Sequence, residues 1–478
     1  MNSTQPCNSP ASPLFTVLVR PQIFALMLGA YWLLHYGLRL GFSDTFQIDG
    51  AEQVYLSQWL RWDYGNLQPP ALTWFFWALW QVLDPSLWSF VLVRYLMLGL
   101  AFWIWYRIAC CLFSDLNWRF LASISWLLVG ELGWKLHQGS THTTVLILAI
   151  LMTFHAICLI SESNRRLHYL YLGLGLCLGI FAKYTFAAFV FSAFSAALSL
   201  PALRTHVLNP RILLSFLPAL TAGLLMLFAM DWSWVVGDGL DRKAVIAWGG
   251  LLQGDLSGGF HVLSAVLGFS APFVLIVILA LGSQSLGMPS SVLQKFLNRF
   301  FLVVLVELFA FALLFEISEI KVRWMHPLLL LVPFWVMGWM ACRSYRLPAQ
   351  SIMLGVLGLS MLAVLAGQYY KLEGSAALGV GSRPSWPISA AIDGLPKSWR
   401  ATESVVCVSD AFVGAQLRVV APELEYVVGR DIPCQWFVSG AVHSADTFPS
   451  IPFGAETSTA NRQQTAFTVW IQPGLSGY

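Results

Sequence analysis

Two carboxylates, Asp49 and Glu52, stand three residues apart at the head of the stretch Ile48 to Trp62, shortly after a long apolar block. Residues at that separation share a helix face. A carboxylate there can take a proton from an attacking hydroxyl, and a second acid nearby raises its pKa toward useful basicity. Asp49 also suits the N-cap of a helix beginning at Gly50, and the two roles are compatible. Glu52 is open between orienting a substrate, holding a divalent ion and lying on a solvated face.

Cations that suit a phosphate lie further on. Lys183 falls between two apolar blocks in Ala-Lys-Tyr-Thr, with Tyr184 beside it as a donor. A lysine at a span centre costs about 2.5–3.5 kcal/mol, so Lys183 belongs at a span end, as an anion ligand or a snorkelling anchor. Lys321, Arg323 and His326 share the run KVRWMHP, where arginine can grip phosphate in bidentate fashion or anchor beside Trp324. Lys135, His137 and His142 lie in WKLHQGSTH, while Tyr55 and Gln68 flank the acidic stretch as possible sugar contacts. Arg242 and Lys243 are weaker candidates. His137 and His142 are five positions apart in a glycine-containing turn, a weak metal pattern. No obligatory metal or other cofactor is expected, a divalent ion at the acids being the open exception.

A lipid bilayer must position these groups. The 478 residues are 57% hydrophobic and 11% charged, against about 25% charged in soluble domains. Twenty-two tryptophans fit a chain with many membrane–water boundaries. Apolar blocks near the length of a 30 Å crossing give about eleven helical spans, roughly at 20–40, 86–106, 119–134, 143–160, 168–182, 184–203, 212–231, 260–283, 298–316, 325–342 and 350–369. Glu307 and Arg94 fall inside spans, where charges are functional candidates. A cytoplasmic N-terminus puts a basic pair in each inward loop: Arg107 and Arg119, Arg165 and Arg166, Arg204 and Arg211, Lys295 and Arg299, Arg343 and Arg346. The polar start without a basic n-region reads as a retained first span. A net charge of +3 implies no nucleic-acid partner.

Two outward loops are long, about 41–85 and about 232–259. The first holds Gly50–Trp62 and Ala71–Val82, both suited to helices lying in the interface. Gln68-Pro69-Pro70 fixes a turn between them. Residues 1–370 read as one transmembrane domain. Residues 371–478, with short β-type runs at Ser404–Ser409 and Glu425–Val428, read as a small outward α/β or irregular domain. If that tail is exported, Cys407 and Cys434 can pair.

Residues Ile48 to Phe75 read IDGAEQVYLSQWLRWDYGNLQPPALTWF. This resembles the first periplasmic loop of family 39 glycosyltransferases of the GT-C superfamily, which includes the protein O-mannosyltransferases and the aminoarabinose transferase acting on lipid A. STHTTVLIL at Ser140–Leu148, FAKYTF at Phe181–Phe186 and KVRWMHPLLLLVP at Lys321–Pro333 resemble that family too. The resemblance covers roughly 1–370 and not the tail. It implies an α-helical polytopic protein of the bacterial inner membrane, with juxtamembrane helices on the periplasmic side. It implies a polyprenyl-phosphate-linked sugar donor, an envelope acceptor (lipid A, another glycan, a lipid or a protein) and displacement with inversion. By that resemblance Asp49 is the base. Lys183, Tyr184, Lys321, Arg323 and His326 are the candidates for the donor phosphate, and Tyr55, Gln68, Lys135, His137 and His142 the candidates for sugar or acceptor. Relatives often carry a second acid directly after the first Asp, where this chain has Gly50. They also often carry an acid in the turn read here as WKLHQGSTH. The competing class is a secondary transporter or flippase for a lipid-linked or anionic solute, which would favour two related halves with broken spans.

Overall fold

The computed structural model describes residues 17–64, 69–139, 142–229, 246–248, 257–281, 291–317, 320–341, 347–373, 388–395, 397, 400, 405–428, 436–444, 456–462 and 465–473. Helix α1 (Pro21–Phe42) opens on a proline, whose fixed φ suits a first turn. Two short helices follow, α2 (Ile48–Leu56) and α3 (Ala71–Leu79), as the first loop predicted. Helix α4 (Leu87–Leu112) is capped by Ser86, whose side chain accepts the Ser89 amide hydrogen.

The segment expected as a third span is broken. It contains α5 (Leu116–Ile124), a 3-10 turn at Ser125–Leu128 and a single helical turn at Gly130–Gly133. Ser125 Oγ donates to the Ala122 carbonyl at 2.7 Å, giving the backbone an alternative to the α ladder. Two glycines then weaken any continuation. Helix α6 (His142–Glu162) is the bundle's axis, with 94% of its apolar window buried. Around it run α7 (Arg166–Ala182), α8 (Phe186–Ser199), α9 (Pro201–Val207) and α10 (Leu213–Ala229). Next come α11 (Ser257–Leu281), α12 (Val292–Leu314), α13 (Val332–Ala341) and α14 (Leu347–Glu373).

Helical segments lie at each of the eleven predicted positions. Among the described residues, five helices are long and apolar enough to cross a membrane, or seven if each bent pair counts as one span. The bends are 117° between α8 and α9 and 50° between Val322–Leu329 and α13. Prolines stand near both breaks, at Pro201 and Pro333. Leu217, Leu220, Leu224 and Phe228 of α10 are exposed, as a lipid-facing surface requires. The chain is a multi-pass membrane protein.

The second long loop lies mostly outside the described residues, Arg242 and Lys243 included. Its strand β1 (Ile246–Trp248) pairs antiparallel with β2 (Phe315–Ile317), tethering the chain just before Lys321. In the tail, α15 (Ile388–Asp393) and α16 (Ala411–Val420) accompany a five-stranded sheet of order β4-β3-β5-β7-β6. Its strands are β3 (Val406–Val408), β4 (Tyr426–Val428), β5 (Trp436–Ser444), β6 (Glu456–Arg462) and β7 (Thr465–Pro473). The first two match the β-type runs read from sequence. Strand β3 lies parallel to β4 and β5; β7 is antiparallel to β5 and β6. Cys407 is disulfide-bonded, and Cys434 lies outside the described residues.

Candidate active site

Asp49 is not the N-cap of its helix. The helix starts at Ile48 and Gln47 is the cap, with no side-chain cap bond, so Asp49 sits in the first turn. There the positive end of the helix dipole favours an anion. Its carboxylate is half-exposed, with Arg323 Nη1 3.9 Å from Oδ2. Arg323 is carried on a 3-10 turn, Val322–Met325. His326 holds that turn by donating Nδ1–H to the Arg323 carbonyl at 2.6 Å, its ring edge-on to Phe269. His326 is buried, so its place is beneath Arg323 and not on an open phosphate site.

Lys183 occupies the extended residue that ends α7. Burial pushes its ammonium down to about 8; Arg323 adds to the depression and Asp49 opposes it. The three groups therefore share one electrostatic neighbourhood. Glu131, on the helical turn Gly130–Gly133, joins it. Burial raises that carboxyl above its usual range, while Lys135 and Arg323 pull it down. Four separate segments thus bring two carboxylates and three cations to one end of the bundle.

Beneath them runs a buried chain. Thr73 Oγ1 donates to Gln53 Oε1 at 2.7 Å, and Gln53 Nε2 meets His142 Nε2 at 2.9 Å. An amide nitrogen donates, so that histidine nitrogen accepts. This network locks α2 to α3 and α6. His142 is a brace here and not a surface contact. His137 is also buried, stacked on His35 with ring centres 3.7 Å apart, because its 3-10 turn directs Lys135 outward and His137 inward. Tyr55 is turned away from Asp49 toward the tail, where its hydroxyl accepts the Val428 amide hydrogen at 3.0 Å. In all three the side chain lies on the packed side of its helix or turn, a choice that a linear reading leaves open.

Tyr184 is partly exposed beside Asp63, which together with burial pushes its phenol up to about 12. Lys135 and Lys321 are exposed and Glu52 is partly buried. Gln68 lies outside the described residues. The space that a Cβ would occupy at Gly50 lies 3.1 Å from the Phe90 ring, so a second acid at that position would point into the core. Glu131 was hidden inside an expected span. Its signal was the acid itself, placed among apolar residues. Glu307 and Arg94 do not meet: Ser192 Oγ donates to Glu307 at 2.8 Å, and Arg94 donates to the Leu136 carbonyl. Among the described residues, no three His, Cys, Asp or Glu side chains are grouped to hold a metal ion.

Residues 67–234 match the family model described as dolichyl-phosphate-mannose-protein mannosyltransferase. A curated relative is the lipopolysaccharide core galacturonosyltransferase RgtB of Rhizobium johnstonii, 25% identical over 86% of this chain and 83% of its own length. RgtA of the same organism, also named a lipopolysaccharide core galacturonosyltransferase, is 24% identical over 84% of this chain and 81% of its own length. The crystal structure of ArnT from Cupriavidus metallidurans, bound to undecaprenyl phosphate, superimposes with a TM-score of 0.60 at 10% identity. That match covers 94% of this chain and 98% of ArnT. The chain thus shares the fold of ArnT, and the family model and curated relatives it resembles are those of glycosyltransferases.

Proposed function

We propose that the protein transfers a uronic acid residue from a polyprenyl-phosphate donor to the core of lipopolysaccharide, at the periplasmic face of the bacterial inner membrane. The reading is carried by one observation: Asp49 meets Arg323 and Lys183 at one end of the bundle. In the reaction, the acceptor hydroxyl oxygen bonds to the anomeric carbon while the carbon–oxygen bond to phosphate breaks. The phosphate keeps that electron pair and leaves; Asp49 takes the hydroxyl proton. A departing phosphate needs cations more than a proton, and Arg323 and Lys183 supply them. When the donor binds, its phosphate draws Arg323 from its long contact with Asp49 and leaves the carboxylate open to the acceptor.

The sugar and acceptor follow the two galacturonosyltransferase relatives. Exposed Lys135, which acts on Glu131 with Arg323, and exposed Lys321, two residues before Arg323, add positive charge suited to a sugar carboxylate. The N-terminus is then cytoplasmic, and the tail stands over the periplasmic face. The two galacturonosyltransferase relatives favour transfer over the transporter alternative.

The test uses the full-length protein in detergent, with polyprenyl-phosphate galacturonate and lipopolysaccharide core acceptor. Release of polyprenyl phosphate, with a matching mass gain on the acceptor, is expected. No transfer from any polyprenyl-phosphate sugar would sink the activity. Equal turnover of a neutral hexose donor would sink the uronic acid assignment alone.

A further inference from the structure

The tail grips the end of α2 opposite Asp49. Arg418 on α16 is buried, and its guanidinium reaches across the junction. One Nη1 donates to the Val54 carbonyl and to Ser57 Oγ, the latter at 3.0 Å; Nη2 donates to the Ser57 carbonyl at 3.2 Å. The guanidinium also lies 5.2 Å from the Trp80 ring centre, next to α3. A cation here meets the carbonyls that a helix leaves unpaired at its C-terminus and the negative end of its dipole.

The sheet edge adds a second hold. Strand β4 is the sheet's outer strand, and its free side would present unpaired amides. Gln58 takes both groups of Tyr426: its Oε1 accepts the amide hydrogen at 2.9 Å and its Nε2 donates to the carbonyl at 3.2 Å. Tyr55 accepts from Val428, and Trp59 Nε1 donates to Glu425 at 2.9 Å. Gly414 on α16 lets the Tyr55 ring approach, since a Cβ there would stand 3.0 Å from it.

We infer that Arg418 is a positioning residue: it fixes the C-terminal end of α2, so that the tail sets where Asp49 stands relative to the phosphate cations. Lys183 and Arg323 are carried on other segments. Loosening α2 therefore displaces the base and spares the donor grip. The inference rests on the proposed transfer reaction for its kinetic test, and a second measurement reads it without activity.

In the full-length protein, Arg418→Met should lower turnover per donor-binding site about 10- to 100-fold, the effect of misplacing a reacting group by about 1 Å. Donor KM should stay within about twofold, because the phosphate ligands are untouched. Arg418→Lys keeps the charge without the fork and should retain intermediate turnover. Added guanidinium should partly restore the methionine variant and leave the parent unchanged. Wild-type turnover per donor-binding site in Arg418→Met would overturn the inference, as would a lysine variant no better than methionine. Hydrogen exchange supplies the independent reading: amides 53–58 should exchange at least about tenfold faster in Arg418→Met, with α6 unaltered. If the parent transfers no sugar, the functional proposal fails. Unchanged protection of 53–58 would still overturn the positioning role.

Discussion

Two cationic regions stand near each other at this end of the bundle, and they spend their charge differently. In the buried region, Arg39 donates to the carbonyls of Ser43 and Thr45, and Arg94 to the carbonyl of Leu136. Their neighbours are aromatic rings and the stacked pair His35 and His137. In the open region, Arg323 is half-exposed and faces Asp49 at the outer limit of an ion pair. Guanidiniums committed to backbone carbonyls tie loops to helices. One that faces a solvated carboxylate across 3.9 Å can exchange that partner for a phosphate. Position, more than residue type, separates a brace from a candidate ligand residue.

The sharpest way to break this contrast is to remove the proposed base. Asp49→Asn should lower kcat about 10²–10⁴-fold with little change in donor KM, read from the rate of product formation at saturating donor. Next come the open cations. Arg323→Gln and Lys183→Ala should each raise donor KM about tenfold to a hundredfold, the range of a lost charge-assisted hydrogen bond. Unchanged KM in both would remove the distinction altogether.

The buried side is tested by Arg94→Met. Leaving the Leu136 carbonyl unpaired costs about 1–3 kcal/mol, so thermal unfolding in detergent should occur several degrees lower. Donor KM should hold, and a rise comparable with that of Lys183→Ala would make Arg94 a ligand after all. The smallest effect concerns pH. Lys183 titrates at about 8, below the ordinary lysine value, so it is charged below that pH and neutral above it. Donor KM should therefore be low at pH 7 and rise as pH passes about 8. Lys183→Arg should flatten that rise, because arginine stays charged.

Sequence periodicity and charge located much of this. The apolar blocks, the helices of the first loop and the strands at 406–408 and 426–428 follow from pattern alone. Asp49, Lys183 and Arg323 stood out as candidates because each is a charge at the edge of an apolar block, where few are tolerated, and the family resemblance raised Asp49 from a helix cap to a base. What escaped depends on three-dimensional closure. The break at Ser125–Gly133 follows from a side chain competing for a backbone carbonyl, and it places Glu131, partly buried, at the end of the bundle. The burial of Tyr55, His137 and His142 depends on which side of a helix or turn faces its packed neighbours. Arg418 gave no local sign, since its partners stand at the other end of the chain.

That separation also bears on how the molecule comes to exist. Ser57 and Arg418 are 361 positions apart. A contact spanning so much chain closes late, because distant segments meet only after nearer ones have condensed. During synthesis the early spans can enter the bilayer and pack while α2 still lacks its anchor. A nascent or interrupted product would sit in the membrane with a wandering carboxylate and little capacity to act on its substrates. Maturation of the last hundred or so residues would then serve as a built-in check that only finished copies begin work.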